Sequence, residues 1–132
     1  MKSAAIERLA DSQCLLAGGR YASAISLALY ALEISLKVRL CERLDLDALP
    51  KPFEIHELDE LLLLCGLKNR LDDPIFSGVK TNWGILVTGV ARHVNDLRYL
   101  PGSSVTKAQA EDLLFVLNDP VEGILTWLQN QP

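Results

Sequence analysis

Apolar positions crowd one stretch of this chain, from Arg20 to Arg43. It contains no proline or glycine, and alanine and leucine, both strong helix formers, dominate it. The pattern predicts one helix over 20–43, about 36 Å long. Ala24, Ile25, Leu29, Leu32, Ile34 and Leu36 place apolar groups on nearly every side of that helix. A helix apolar almost all round is buried by several neighbours, so it is the expected centre of the fold. One narrow polar stripe interrupts it. At 100° per residue, Ser26, Tyr30, Glu33 and Lys37 fall within about 60° of one another. The plain reading is a solvent seam closed by a Glu33–Lys37 pair four residues apart. The alternative is a polar groove for a ligand or partner.

Further helices flank this one. From Ser3 to Ala17, Ile6, Leu9, Ala10, Leu16 and Ala17 recur at helical spacing, with Ser3 as N-cap and Gly18-Gly19 as the stop. The short connection predicts an antiparallel hairpin with the central helix. Pro50 and Pro52 forbid continuation of the helix and favour extended chain, and 44–55 reads as the longest loop. His56 opens a short leucine-rich helix that Gly66 closes. A zinc-protease motif fails there, because the position four residues after His56 is Glu60. His56 is therefore expected to bond nearby backbone at the helix start. Residues 67–76 read as a turn-rich connector broken at Asp72-Asp73-Pro74.

A fourth helix is expected from about Lys80 to Leu97, with Gly84 and Gly89 as possible points of close approach. After a turn at Pro101-Gly102-Ser103-Ser104, Thr106 and Gln109 form a capping box for a fifth helix. Asp119-Pro120 either kinks that helix or restarts it, with Asp119 as N-cap. No stretch alternates with a two-residue period, and no phosphate-binding glycine loop is present. The expected fold is all-α: a single domain over 1–132, an up-and-down bundle of four to five helices.

Composition narrows the function classes. The chain has 132 residues, 49% apolar and 23% charged, which suits one globular core. A net charge of −4 argues against a broadly basic nucleic-acid surface but leaves room for a local basic site. Cys14, Cys41 and Cys65 are odd in number and lack a C-x-x-C spacing. They support neither a zinc knuckle nor a disulfide framework, and are expected to be buried, reduced thiols. The start has no signal-peptide apolar core, and the longest apolar run is too short for a bilayer. The expectation is a cytoplasmic protein without membrane contact, cofactor or metal.

The densest chemical constellation is Arg92-His93-Val94-Asn95-Asp96-Leu97-Arg98-Tyr99. On a helix, Arg92, Asp96 and Tyr99 share one face, and His93 and Leu97 share another. Such a cluster can hold a phosphate or do acid–base work on RNA. It can equally be a polar helix end whose arginines complement the dipole.

Three segments carry a resemblance to a known family. They are Gly19-Arg20-Tyr21-Ala22 running into Leu29-Tyr30-Ala31-Leu32-Glu33-Ile34-Ser35-Leu36-Lys37, then His56-Glu57-Leu58, then Trp83 followed by Arg98-Tyr99-Leu100-Pro101. In order and spacing the chain resembles the HEPN family, named for higher eukaryotes and prokaryotes nucleotide-binding. The resemblance implies a helical bundle, often a homodimer. Many members are metal-independent ribonucleases, one branch with an Arg-x4-His-x-Tyr motif. Laid on this chain, Arg92 is the Arg and Tyr99 the Tyr, but the His position is Leu97, which cannot move a proton.

The leading expectation is thus a non-catalytic module that contacts a nucleotide or RNA, or pairs with a small nucleotidyltransferase as in toxin–antitoxin gene pairs. The contact residues would be Tyr30, Glu33, Lys37, Arg92, Asp96, Arg98 and Tyr99. The alternatives are a ribonuclease using Arg92 and His93, and a structural dimerisation domain.

Overall fold

A computed structural model describes residues 2–89 and 105–131. These residues form helices, turns and loops, with no strand among them. The helices are α1 (Lys2–Ala17), α2 (Tyr21–Leu44), α3 (Leu58–Leu64), α4 (Ser77–Thr88), α5 (Lys107–Asn118) and α6 (Ile124–Gln129). The expected helix from Lys80 to Leu97 begins three residues earlier, at Ser77, and α4 ends at Thr88, because Gly89 leaves helical geometry (φ −94°, ψ −144°). Its predicted end, and the turn at 101–104, lie outside the described residues.

The central helix falls where the apolar pattern put it. Ile25, Leu29, Leu32, Leu36 and Leu40 of α2 are essentially inaccessible to solvent. Leu61 and Leu62 of α3, Leu86 of α4, Leu117 of α5 and Ile124 of α6 complete the core around them. Three helices end in the same way. After α1, Gly19 turns left-handed (φ 79°), and the N–H groups of Gly19 and Arg20 donate to the carbonyls of Leu16 and Leu15. This pair of bonds is a Schellman motif. Gly66 (φ 75°) ends α3 likewise, and Asp45 (φ 53°) ends α2.

The Gly19 turn makes α1 and α2 antiparallel. Ser12 Oγ donates to the Ala24 carbonyl (2.6 Å), while Lys2 reaches Glu42 (2.8 Å) at the far end. Ser3 lies inside α1 and not at its cap. The connection after α2 departs from simple alternation. The chain returns over residues 45–57 to the level of Glu33, roughly 16 Å back along α2. From there α3 advances towards the C-terminal end of α2, with Cys65 Sγ bonding the Leu36 carbonyl and Arg43 bonding that of Leu64. Leu49 and Ile55 anchor the returning loop by packing against the core on either side of its prolines.

The capping box forms: Gln109 N–H donates to Thr106 Oγ1 (3.2 Å), and Thr106 N–H to Gln109 Oε1 (2.9 Å). At Asp119-Pro120 the chain restarts, by way of a turn. The Asp119 carboxylate accepts from the N–H groups of Val121 and Glu122, and α6 begins only at Ile124. Gly84 has open space where a Cβ would stand, so no helix approaches it closely among the described residues. Nor is any helix there long and apolar enough to cross a membrane.

Candidate functional site

The polar stripe of α2 is not a solvent seam. Glu33 is only 2% exposed, in the middle of the long central helix. A carboxylate removed from water needs charged or hydrogen-bonding partners. Among the described residues Glu33 has two, both on the same oxygen. His56 Nδ1 lies 2.6 Å from Oε1, and Lys37 Nζ lies 3.7 Å from it. The first is a short hydrogen bond; the second is an ion pair without hydrogen-bond length.

The loop supplies His56 for local reasons. Ile55 packs against the core immediately before it, and Leu58 is buried two residues after it. Those anchors fix the backbone on both sides and set the imidazole over Glu33. The expected bond from His56 to nearby backbone is thus replaced by one to a side chain 23 residues earlier.

The arrangement has a defined chemistry. A carboxylate only accepts hydrogen bonds, so Nδ1 presents its proton to Glu33. Glu33 thereby fixes the ring's orientation, as a carboxylate does behind a metal-bound or catalytic histidine. The remaining nitrogen, Nε2, can accept from a ligand when the ring is neutral and donate when it is protonated. The His56 side chain is 48% exposed, so the imidazole reaches solvent while its anchor does not. Tyr30, one turn before Glu33 on the same stripe, is 40% exposed, and Lys37 is largely covered at 14%. Ser26 is half-buried.

The structure therefore brings together Tyr30, Glu33 and Lys37, and adds His56. The other candidates, Arg92, His93, Asp96, Leu97, Arg98 and Tyr99, lie outside the described residues. Among the described residues, no three His, Cys, Asp or Glu side chains converge to hold a metal ion.

A second polar contact links α3 to α4. Asp59 accepts from Lys68 Nζ (2.7 Å) and from Trp83 Nε1 (3.0 Å). The Lys68 bond holds the Asp59 carboxyl below its ordinary range, against partial burial and with help from Trp83. The thiols divide unevenly. Cys41 and Cys65 are buried, as expected, whereas Cys14 is exposed. Burial pushes the Cys65 thiol up to about 11, with Arg39 and Arg43 opposing the rise.

Compared with family models, curated proteins and solved structures, the chain matches none of them.

Proposed function

We propose that this chain is a non-catalytic binding module of the HEPN type, and that the face around His56 contacts a nucleotide. One observation carries the reading: a fully buried carboxylate holds a half-exposed imidazole in a fixed orientation, with a lysine and an exposed tyrosine beside it. Tyr30 offers an aromatic face for a base, and Lys37 and His56 offer donors for phosphate oxygens. Glu33 touches no ligand in this scheme; it positions His56.

The resemblance gains support from the way its segments meet. The Glu33 segment bonds the His56 segment directly, and Trp83 bonds Asp59, one residue beyond His56-Glu57-Leu58. Two separate hydrogen bonds thus tie the Glu33 and Trp83 stretches to residues 56–59. On the same reading, the module acts as a homodimer or beside a small nucleotidyltransferase.

The test is an ATP titration of the purified protein, followed by calorimetry, beside Tyr30→Ala and His56→Ala. Saturable binding that both variants weaken is the expected result. A flat titration, together with purification free of any partner chain, overturns the reading.

A further inference from the structure

A second polar feature lies near the C-terminal end of α2, and the reading above does not use it. A cleft of about 400 Å³ opens between the C-terminal turns of α2, the end of α3 and the segment that follows. Arg39, Arg43 and Arg70 line it, with Glu42 as the single acidic side chain in its wall. In a chain with a net charge of −4, three guanidiniums in one concavity are a local reversal of sign. Glu42 is also shared with Lys2 outside the cleft, at 2.8 Å.

All three arginines are held in place. Arg39 donates to the Gln131 carbonyl (2.9 Å) and pairs with Glu42 at 3.5 Å. The guanidinium of Arg43 lies against Gly66, where any Cβ would collide with it, and Nη1 donates to the Leu64 carbonyl (3.0 Å). Arg70 Nη1 donates to Oε1 of Gln131 (3.2 Å), and Gln131 is itself buried and bonded to the Trp127 carbonyl. Each guanidinium has five N–H donors, so one bond fixes the fork and leaves donors for a ligand. Fixed forks lose little freedom on binding an oxyanion, and their geometry matches phosphate oxygens in pairs.

We propose that this cleft binds the diphosphate group of a small molecule, with Arg43 and Arg70 as its principal donors. The size is adequate for a nucleotide-scale ligand. The competing account is that the arginines only complement the negative ends of α2 and α3. It predicts a loss of stability on substitution and no dependence on any anion. The proposal is independent of the His56 face.

The experiment titrates inorganic pyrophosphate and, separately, ADP into the protein at low salt, with heat as the readout. The variants are Arg43→Gln/Arg70→Gln, Arg70→Gln alone, and Lys80→Gln as a control for the single variant's loss of one charge. Saturable pyrophosphate binding is expected, weakened about tenfold or more by the double variant and unchanged in Lys80→Gln. ADP binding that is tighter than pyrophosphate binding and is weakened by Arg70→Gln assigns the cleft to a nucleoside diphosphate; equal binding assigns it to the diphosphate alone. Arg70→Gln breaks only a side-chain bond to Gln131, so it decides the matter if the double variant fails to fold. Absence of saturable binding up to millimolar pyrophosphate overturns the proposal, as does unchanged affinity in Arg70→Gln.

Discussion

Replacing His56 by alanine should destabilise the protein through a residue that is itself half-exposed. The imidazole supplies the short bond to Glu33 Oε1 at 2.6 Å; without it, that oxygen keeps, among the described residues, only Lys37 at 3.7 Å. Stranding a fully buried charge costs about 3–5 kcal/mol. Here the lost side chain was 48% exposed, so water can enter the space it vacates, which lowers the expected cost to about 2 kcal/mol. For a chain of this size that is a fall in Tm of about 5–10 °C. Glu33→Met behaves differently, because it removes the buried charge and frees His56 and Lys37 to turn towards water. Its expected cost is below about 1 kcal/mol. In the Glu33→Met background no carboxylate is left to strand, so His56→Ala should cost only about 0.5 kcal/mol. The expected coupling energy is therefore about 1.5 kcal/mol, read from midpoints of urea unfolding at unchanged slope. Additivity of the two substitutions within about 0.5 kcal/mol refutes the argument.

Other perturbations separate parts of the fold. Gly84→Ala should stabilise the protein by about 0.5–1 kcal/mol, since a Cβ meets open space there, whereas Gly66→Ala should destabilise it by more than 1 kcal/mol through its positive φ and its contact with Arg43; thermal melts of both variants check this contrast. A thiol reagent at neutral pH should label Cys14 rapidly and leave Cys41 and Cys65 unmodified until the protein unfolds, as mass spectrometry would read. The raised Cys65 value means that the unfolded thiol ionises first, so stability should fall as pH rises from about 9 to about 11, and a Cys65→Ala variant should lose that slope. Asp59 has the opposite sign: its depressed carboxyl contributes stability above the unfolded value near 3.8, which is lost as pH falls through the lower folded value. With its side chain half in solvent the effect is screened to about 0.5 kcal/mol, and Asp59→Asn should remove it from acid unfolding curves.

Local signals in the sequence translate well where one element decides them. The unbroken apolar run gave the span of α2 to within a residue at each end, because no glycine or proline offers an earlier stop. Thr106 and Gln109 marked the start of α5 because the capping box closes within one turn. The contact between Glu33 and His56 was not legible in the same way. The i to i+4 spacing offered Lys37 as a sufficient partner, and nothing local says that the proline loop doubles back along α2. The available signal was energetic: a carboxylate on a helix apolar all round lies inside, and one lysine at 3.7 Å is a weak answer to that burial. Leu49 and Ile55 give the loop its apolar anchors, so a search for its polar residues near Glu33 would have reached His56. Cys14 was expected to be buried, yet α1 covers only one side of α2 and leaves most of its own surface in solvent.

Whether the Glu33–His56 pair is a clamp or part of a binding face can be decided on one variant. A clamp holds the returning loop on α2, and an apolar residue of similar volume can replace its buried half with little loss. Leu49, Ile55 and Leu58 would then keep the loop in place without it. A binding face needs something more: the imidazole must stand in one orientation, and only Glu33 sets it. Glu33→Met should therefore fold with near-native stability and still bind ATP about tenfold more weakly, because the freed ring must be ordered by the ligand itself. Glutamine at the same position keeps an acceptor for Nδ1 and should restore part of the affinity. A folded Glu33→Met that binds ATP as tightly as the wild type removes Glu33 from the binding face and leaves the pair as a clamp.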